Sequence, residues 1–507
     1  MSFSDLDAVI LLLIATHLQQ DQSQIAQYAT ISRPWLSVVE AFTFRHQRVD
    51  SDERLRQLNQ YLTPDRRAAL RSLDVTIHLT KYGEDKWREL ELESEKTINN
   101  QIFSTSLTIL FKTINSWSTL AVSEIPKSRF SSSVRGPRHR FTLEIQAICK
   151  SDYYHMDFQD SARRKYISDS DCILTRHESN YLDLVRDLSP LPAVSELIIH
   201  GGAPRVLQEI YPRYVSAQAA LRIVEACPFA ETVELQLSDM ESKGLSLRNN
   251  QRDGACARKL SSVPKTVTHL QLHYPGAVPQ NQVFRPPIIP TMNGKDFFSS
   301  ALNVLSQQLE SLHLLAVVSD DLLVITSPTT HWPRLRHLHV DFDVAMPDGT
   351  WMFEQDPEDP HSEETDLNED SEYQEMRMFD DRYDHEMPAR FDWPRRFFTT
   401  APNCDAYDRV NLAISKTTPR MPNLKTLRFS VDQGTAGCVC TYTCDGREIH
   451  KVLWKSCSTV TYEPNSEVVA ERKRAVALRS GQLELQVAGI DDPTASDLVA
   501  DIDWPRF

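Results

Sequence analysis

Three cysteines fall close together in "CVCTYTC", at Cys438, Cys440 and Cys444, and His450 and Cys457 follow. Thiolate and imidazole are ligands that zinc takes. A structural zinc site usually carries a CxxC turn that aims both sulfurs at one ion, whereas CxC on a strand does so only if period two puts both on one face. The spacing therefore favours reduced thiols, with Cys438, Cys440, Cys444 and Cys457 as a weak zinc set, and no cofactor is expected. A second candidate is "HGGA", His200 to Ala203. Glycines after a histidine let backbone N–H groups converge on a developing oxyanion, but that chemistry also needs a Gly-x-Ser-x-Gly elbow, which the chain lacks. A strand-ending turn explains the motif. "DLNED" at Asp366–Asp370 opens like a calcium loop, yet Ser371 stands where glycine is required and Arg377 where the bidentate glutamate belongs. With no Walker loop and no dinucleotide fingerprint either, the sequence does not read as an enzyme.

The elements that would position such residues belong to a long chain. At 507 residues it exceeds one ordinary core unless that core is extended and repetitive. Net charge is −15, but 15 Asp and Glu against Arg377 and Arg382 put −13 of it between Glu354 and Glu386. The remainder is close to neutral (−15 minus −13 is −2), so no basic face for nucleic acid is expected. The apolar run Ala8–Ala15 is far short of the roughly 20 residues of a membrane span, and Asp5 and Asp7 precede it where an export signal would be positive. Nine cysteines, an odd number, read as thiols of a cytoplasmic or nuclear protein.

One phrase recurs: an apolar residue, another three on, another two further. It occurs as "LRSLDV", "VSELII", "TVELQL", "VTHLQL", "LESLHL", "LRHLHV" and "LKTLRF". This is the strand portion of a leucine-rich repeat, and several copies follow a proline that ends a helix and starts an extended segment. From Leu197 through Leu235, Leu270 and Leu312 to Leu338 the intervals are 38, 35, 42 and 26 residues, which is irregular. Helical stripes alternate with the phrases. They are Phe103, Leu107, Leu110, Phe111, Ile114 and Trp117, then Ala217, Ala220, Leu221 and Val224 after a Ser216 cap, then Phe298, Leu302, Leu305 and Leu309. Helix, proline turn and strand in succession predict an α/β fold in which parallel strands stack with helices outside. The acidic stretch interrupts it, and Trp351 and Phe353 beside that stretch either serve as exposed anchors for a partner or tuck into the adjacent repeat.

Near the start, "YATISRPWLSVVEAFTF" places Ser32 as a helix cap, Pro34 in the first turn, and Trp35, Val38, Val39 and Phe42 on one face. An apolar helix through Val9, Leu12, Leu13 and Ile14 and a short one around Gln22–Tyr28 precede it. With Ile31, Ser32, Arg33 and Trp35 in the "VSRxW" positions, the segment resembles the F-box of fungal F-box-like proteins, and "GTWMFE" is similar to a phrase of the same family.

That resemblance implies a substrate-recognition subunit of an SCF-type cullin ubiquitin ligase. Leu12, Ile14, Ile31, Pro34 and Trp35 would contact a Skp-type adaptor, and the repeat region would hold an unknown protein target. Neither nucleic acid nor membrane is an expected partner. The chain opens "MSFSDLDAVILLLI" without the family's Leu-Pro, which keeps open a non-ligase scaffold capped by the bundle. The expected organisation is 1–48 F-box-like bundle, 49–349 leucine-rich-repeat-like region, 350–400 acidic and largely disordered insertion, and 401–507 continuation of the repeats.

Overall fold

Each copy of the recurrent phrase forms a β-strand, because its apolar residues at period two can fill one face of a sheet while the residues between them stay polar. The computed structural model describes residues 8–20, 25–83, 86, 89–120, 140–153, 180–202, 212–239, 249–276, 288–289, 295–354, 401–432, 437–445, 449–456, 462–479 and 482–488. A single sheet of twelve strands runs in sequence order. Its strands are β1 His46–Val49, β2 Ser72–His78, β3 Phe141–Ile148, β4 Val194–His200, β5 Thr232–Gln236, β6 His269–Tyr274, β7 Ser311–Ala316, β8 His337–Phe342, β9 Thr426–Asp432, β10 Gly437–Asp445, β11 Ile449–Ser456 and β12 Gln482–Ala488.

β1 to β9 are parallel throughout. Their register lines up Leu73, Leu143, Leu197, Val233, Leu270, Leu312, Leu338 and Leu427 in one buried row. Each such side chain contributes about 1.5–3 kcal/mol by leaving water. Two details correct the sequence reading. The middle position of the β5 copy is Val233, not Leu235, so the phrase there is Ala230, Val233, Leu235, and the adjacent intervals even out to 36 and 37 residues (233−197 and 270−233). A copy also went unread in β3, where Phe141, Leu143 and Ile145 are all buried.

The three helical stripes pack into the same core as the strands' apolar face. They lie on α5 Glu93–Leu120, α6 Ala217–Glu225 and α8 Phe297–Ser306, except that Leu309 falls just past the end of α8, while α7 is the single turn Ala257–Leu260. Ser216 caps α6 by accepting from Ala219 N at 3.0 Å, and Asp296 caps α8 through Ser299 N. Between α6 and α7 a π-helical turn, Asn250–Cys256, places Arg252 in the interior against Asp296.

Burial there pushes the neighbouring Asp253 carboxyl up to about 6, with Arg252 only partly offsetting it. The folded value lies above the ordinary 3.8, so the proton stabilises the fold. That contribution is complete below pH 3.8 and is lost as the pH rises through about 6. Urea midpoints measured between those limits should therefore fall in the wild type relative to Asp253→Asn, and parallel curves would refute the assignment.

The region after the acidic stretch is not a simple continuation of the repeats. β9 pairs parallel with β8, but β10 runs antiparallel to both β9 and β11. Only residues 433–436 and 446–448 join these strands. Such links suit hairpins, whereas a parallel crossover needs a dozen residues or more. β12 returns parallel to β11 after helix α10, Ser466–Leu478, preceded by α9 Cys404–Thr417.

The start of the expected insertion also belongs to the fold. Gly349, at φ 81°, turns the chain so that Met346 N donates to Thr350 O and Met352 N donates to Val344 O, both at 2.9 Å. Phe353 then bridges Pro402 across the acidic stretch, whose residues 355–400 lie outside the described set, as does the calcium-like motif.

Candidate functional site

Two surfaces stand out, and the first is the N-terminal bundle. Helix α1 Ala8–Gln20, a 3-10 turn Ile25–Thr30 and helix α2 Arg33–Thr43 enclose a small core of Leu11, Ala15, Trp35, Val38 and Val39, separate from the main one. Ser32 accepts from Trp35 N at 3.4 Å, as its place before Arg33-Pro34 predicts. The Trp35 ring lies 6.1 Å from that of Tyr28. Arg66 of helix α4 (Pro64–Ala69, after α3 Asp52–Tyr61) ties the bundle to the sheet domain. It bonds Glu40 at 2.6 Å and stacks over Phe44.

The expected adaptor residues divide by exposure. Leu12, Ile31 and Pro34 are at the surface, with Ile10, Leu13 and Leu36 exposed beside them in sequence. Ile14 is half-buried against the bundle core, and Trp35 is 2 % exposed. Trp35 is thus turned away from solvent: its indole is the largest buried side chain of the bundle core, against which Ile14, Ile25, Tyr28 and Phe42 also pack.

The expected partner anchors divide similarly. Phe353 is fully buried and Met352 with it, so of the two readings Phe353 takes the tucked-in one and is no exposed anchor. The hairpin at Gly349 folds the segment back onto the main core. Trp351 is half-buried against that core, and its carbonyl accepts from Asn403 Nδ2 at 2.9 Å.

The weak zinc set does not assemble. Cys438, Cys440 and Cys444 share the core-facing side of β10 and form no disulfide, and Cys457 lies outside the described residues. Alternate strand residues stand about 6.8 Å apart, but sulfurs sharing a zinc at about 2.3 Å each must come within about 4 Å. Burial also pushes the Cys440 thiol up to about 11, away from the thiolate a metal takes. His450 lies between Tyr442 and Cys444, its Nδ1 2.6 Å from Tyr442 Oη and its Nε2 4.0 Å from Cys444 Sγ.

His200 bridges strands, its ring nitrogens 2.8 Å from Gln236 Oε1 and 2.6 Å from Glu144 Oε1. Gly202 after it sits at φ 113°, and a Cβ there would fall 1.7 Å from the Tyr214 ring. The glycines make room for Tyr214, so the motif is a strand tie and a turn.

The second surface is the polar face of the sheet, made by the residues between the leucines. Glu144, Glu196 and Glu234 occupy its β3–β5 end, and Arg428, Lys451 and Lys455 its β9–β11 end. Between them β6 to β8 contribute His269, His273, His313, His337 and His339. The sequence carried this signal in "THLQLHY", "SLHLL" and "RHLHV", but a search for apolar spacing passes over it.

His313 and His339 face each other across β7 and β8, rings stacked at 4.3 Å and 5°. Asp341 receives both, His339 Nε2 at 2.9 Å on Oδ1 and His313 Nε2 at 3.4 Å on Oδ2, and Ser430 Oγ donates to it from β9. Burial alone raises Asp341, but the hydrogen bonds from His313, His339 and Ser430 outweigh it and hold the carboxyl well below the usual range. Burial likewise lowers His339 and His273. The cluster is therefore built on a carboxylate that its hydrogen bonds keep ionised, with the His339 imidazole held by burial toward its neutral form.

These features define a class: a mixed α/β protein on a mostly parallel sheet in sequence order, with an N-terminal helical unit and a sheet face that changes charge sign along its length. Comparison with protein-family models, with curated proteins and with solved structures gives no match. Among the described residues no helix is long and apolar enough to cross a membrane.

Proposed function

We propose that the chain is a substrate-recognition subunit of an SCF-type ubiquitin ligase. In this reading the N-terminal bundle is F-box-like and docks a Skp-type adaptor. The sheet domain is an irregular leucine-rich-repeat-like solenoid that holds a protein target on its polar face. The chain's part in the reaction is to hold the target near a transfer carried out by other subunits.

One observation carries the proposal. Among the described residues, a unit with a core of five buried side chains leaves Ile10, Leu12, Leu13, Ile31 and Leu36 exposed, with Ile31 at 49 % and Leu13 at 58 %. Apolar side chains grouped on one small unit are the mark of a docking surface, and a bundle this size gains stability from a partner. The charge change along the sheet suits a target with a complementary pattern, which selects partners more than it tightens binding.

The test is co-expression with a Skp-type adaptor and size-exclusion chromatography of wild type, Leu12→Asp and Ile31→Asp. Both substituted side chains are exposed, so folding is spared. Co-elution lost in both variants is the expected result. Wild-type protein that elutes alone would instead make the bundle a cap on a non-ligase scaffold.

A further inference from the structure

We propose that His313, His339 and Asp341 form a binding site for one divalent transition-metal ion of the zinc class on the polar face of the sheet. The site is far in sequence from the N-terminal bundle and does not rest on the ligase reading.

The ligand atoms of the three residues all lie within 4.8 Å of one another. In a tetrahedral sphere with bonds of about 2.0–2.1 Å, neighbouring ligand atoms stand about 3.4 Å apart. His313 Nε2 lies 3.4 Å from Asp341 Oδ2 and His339 Nε2 lies 2.9 Å from the other oxygen, Oδ1. With one of these oxygens as the ligand, no pair of ligand atoms has to close by more than about 1.4 Å (4.8 − 3.4). The stacked rings must tilt toward a common point. His313 can supply most of that motion, since its side chain is 39 % exposed, whereas His339 is fixed at 7 %.

The donor types suit an ion as well. Two imidazole nitrogens and one carboxylate oxygen are a donor set that zinc accepts. The ion would sit where the two Nε2 protons now meet the carboxylate. Each imidazole then carries its proton on Nδ1, so the exchange of tautomer leaves the proton count unchanged. Ser430, 1 % exposed, steadies the carboxylate from the next strand as an outer partner does in a metal site. Three protein ligands leave a fourth position open on the solvent side for water.

Period two and register produce this arrangement together. His339 and Asp341 are two apart on β8 and so share a face, and His313 is the register partner of His339 on β7. The cysteines of β10 point to the opposite, core-facing side.

The experiment uses the full-length chain stripped with a chelator and titrated with Co2+, followed by displacement with Zn2+. Wild type, His313→Ala, His339→Gln and Cys440→Ser are compared, with far-ultraviolet circular dichroism to verify folding. The expected result is one Co2+ per chain with visible ligand-field bands and no thiolate-to-cobalt band. Affinity should fall at least about 100-fold in His313→Ala and remain unchanged in Cys440→Ser. Because His313 is partly exposed, its loss tests the site without removing a core residue. Absence of uptake, uptake undiminished in both histidine variants, or a thiolate band would each overturn the proposal.

Discussion

Asp296→Ala should lower the stability of the sheet domain by about 3–5 kcal/mol, because it strips a buried guanidinium of its two-pronged partner and leaves it only the less buried Asp253, 2.8 Å away. Arg252 and Asp296 are each about 1 % exposed and meet in a two-pronged pair, Nη1 to Oδ1 at 2.7 Å and Nη2 to Oδ2 at 2.9 Å. Nη2 also donates to Val317 O at 2.8 Å, and the guanidinium lies 4.9 Å from the centre of the Phe298 ring. The same carboxylate caps α8 through Ser299 N at 3.2 Å and accepts from Ser299 Oγ. One side chain therefore neutralises the π-helical turn and starts the next helix. Removing the charge from both partners, as in Arg252→Met with Asp296→Ala, should cost less than the two single changes added together, since the pair is then lost once and not counted twice. Urea midpoints of the four proteins measure this. An Asp296→Ala midpoint near that of wild type would show that the pair is solvated and not the interior tie its burial indicates.

The second large effect is expected at Trp332→Ala, again about 3–5 kcal/mol. Trp332 is fully buried, its Nε1 donating to Ser306 Oγ at 2.7 Å at the end of α8 and its backbone N donating to Arg420 O at 2.9 Å. It thus joins the unit before the acidic stretch to the chain that returns after it. Trp332→Phe keeps most of the volume and loses the hydrogen bond, for about 0.5–1.5 kcal/mol. Urea unfolding of both variants checks the order. Equal losses would mean that the hydrogen bond and not the ring carries the stability.

Much of this fold was legible from the chain alone. Apolar spacing of the Leu-x-x-Leu-x-Leu type located seven of the strands, and the stripes from Phe103 to Trp117 and from Ala217 to Val224 were buried as their period required. Ser32 and Ser216 acted as caps where their positions before apolar faces indicated. These signals are local: period two or 3.6 needs only neighbours in sequence to be read. The copy in β3 escaped because Arg140 stands three residues before Leu143, where an apolar residue was sought, and the β5 copy was misplaced by two residues because Ala230 and Val233 stand where leucines were sought. A shift of two preserves the face, so the strand survived the misreading.

The site was another matter. The tertiary structure alone decided that His313 would stack on His339, that Asp341 would receive both, and that Ser430 would reach it from 89 residues further on. Those meetings depend on register between strands, and that register is fixed by the leucine row packing against helices on the other face. Burial was decided the same way for Phe353, which the sequence placed at the edge of an acidic stretch and the Gly349 turn carried into the core. The antiparallel course of β10 and β11 followed from links too short for any crossover. The sequence by itself determined which residues alternate along each strand and helix, because that alternation is a property of the backbone's own period. Which polar residues would meet was left to packing between segments far apart in the chain, where hydrophobic burial sets the alignment and the polar side chains are carried with it.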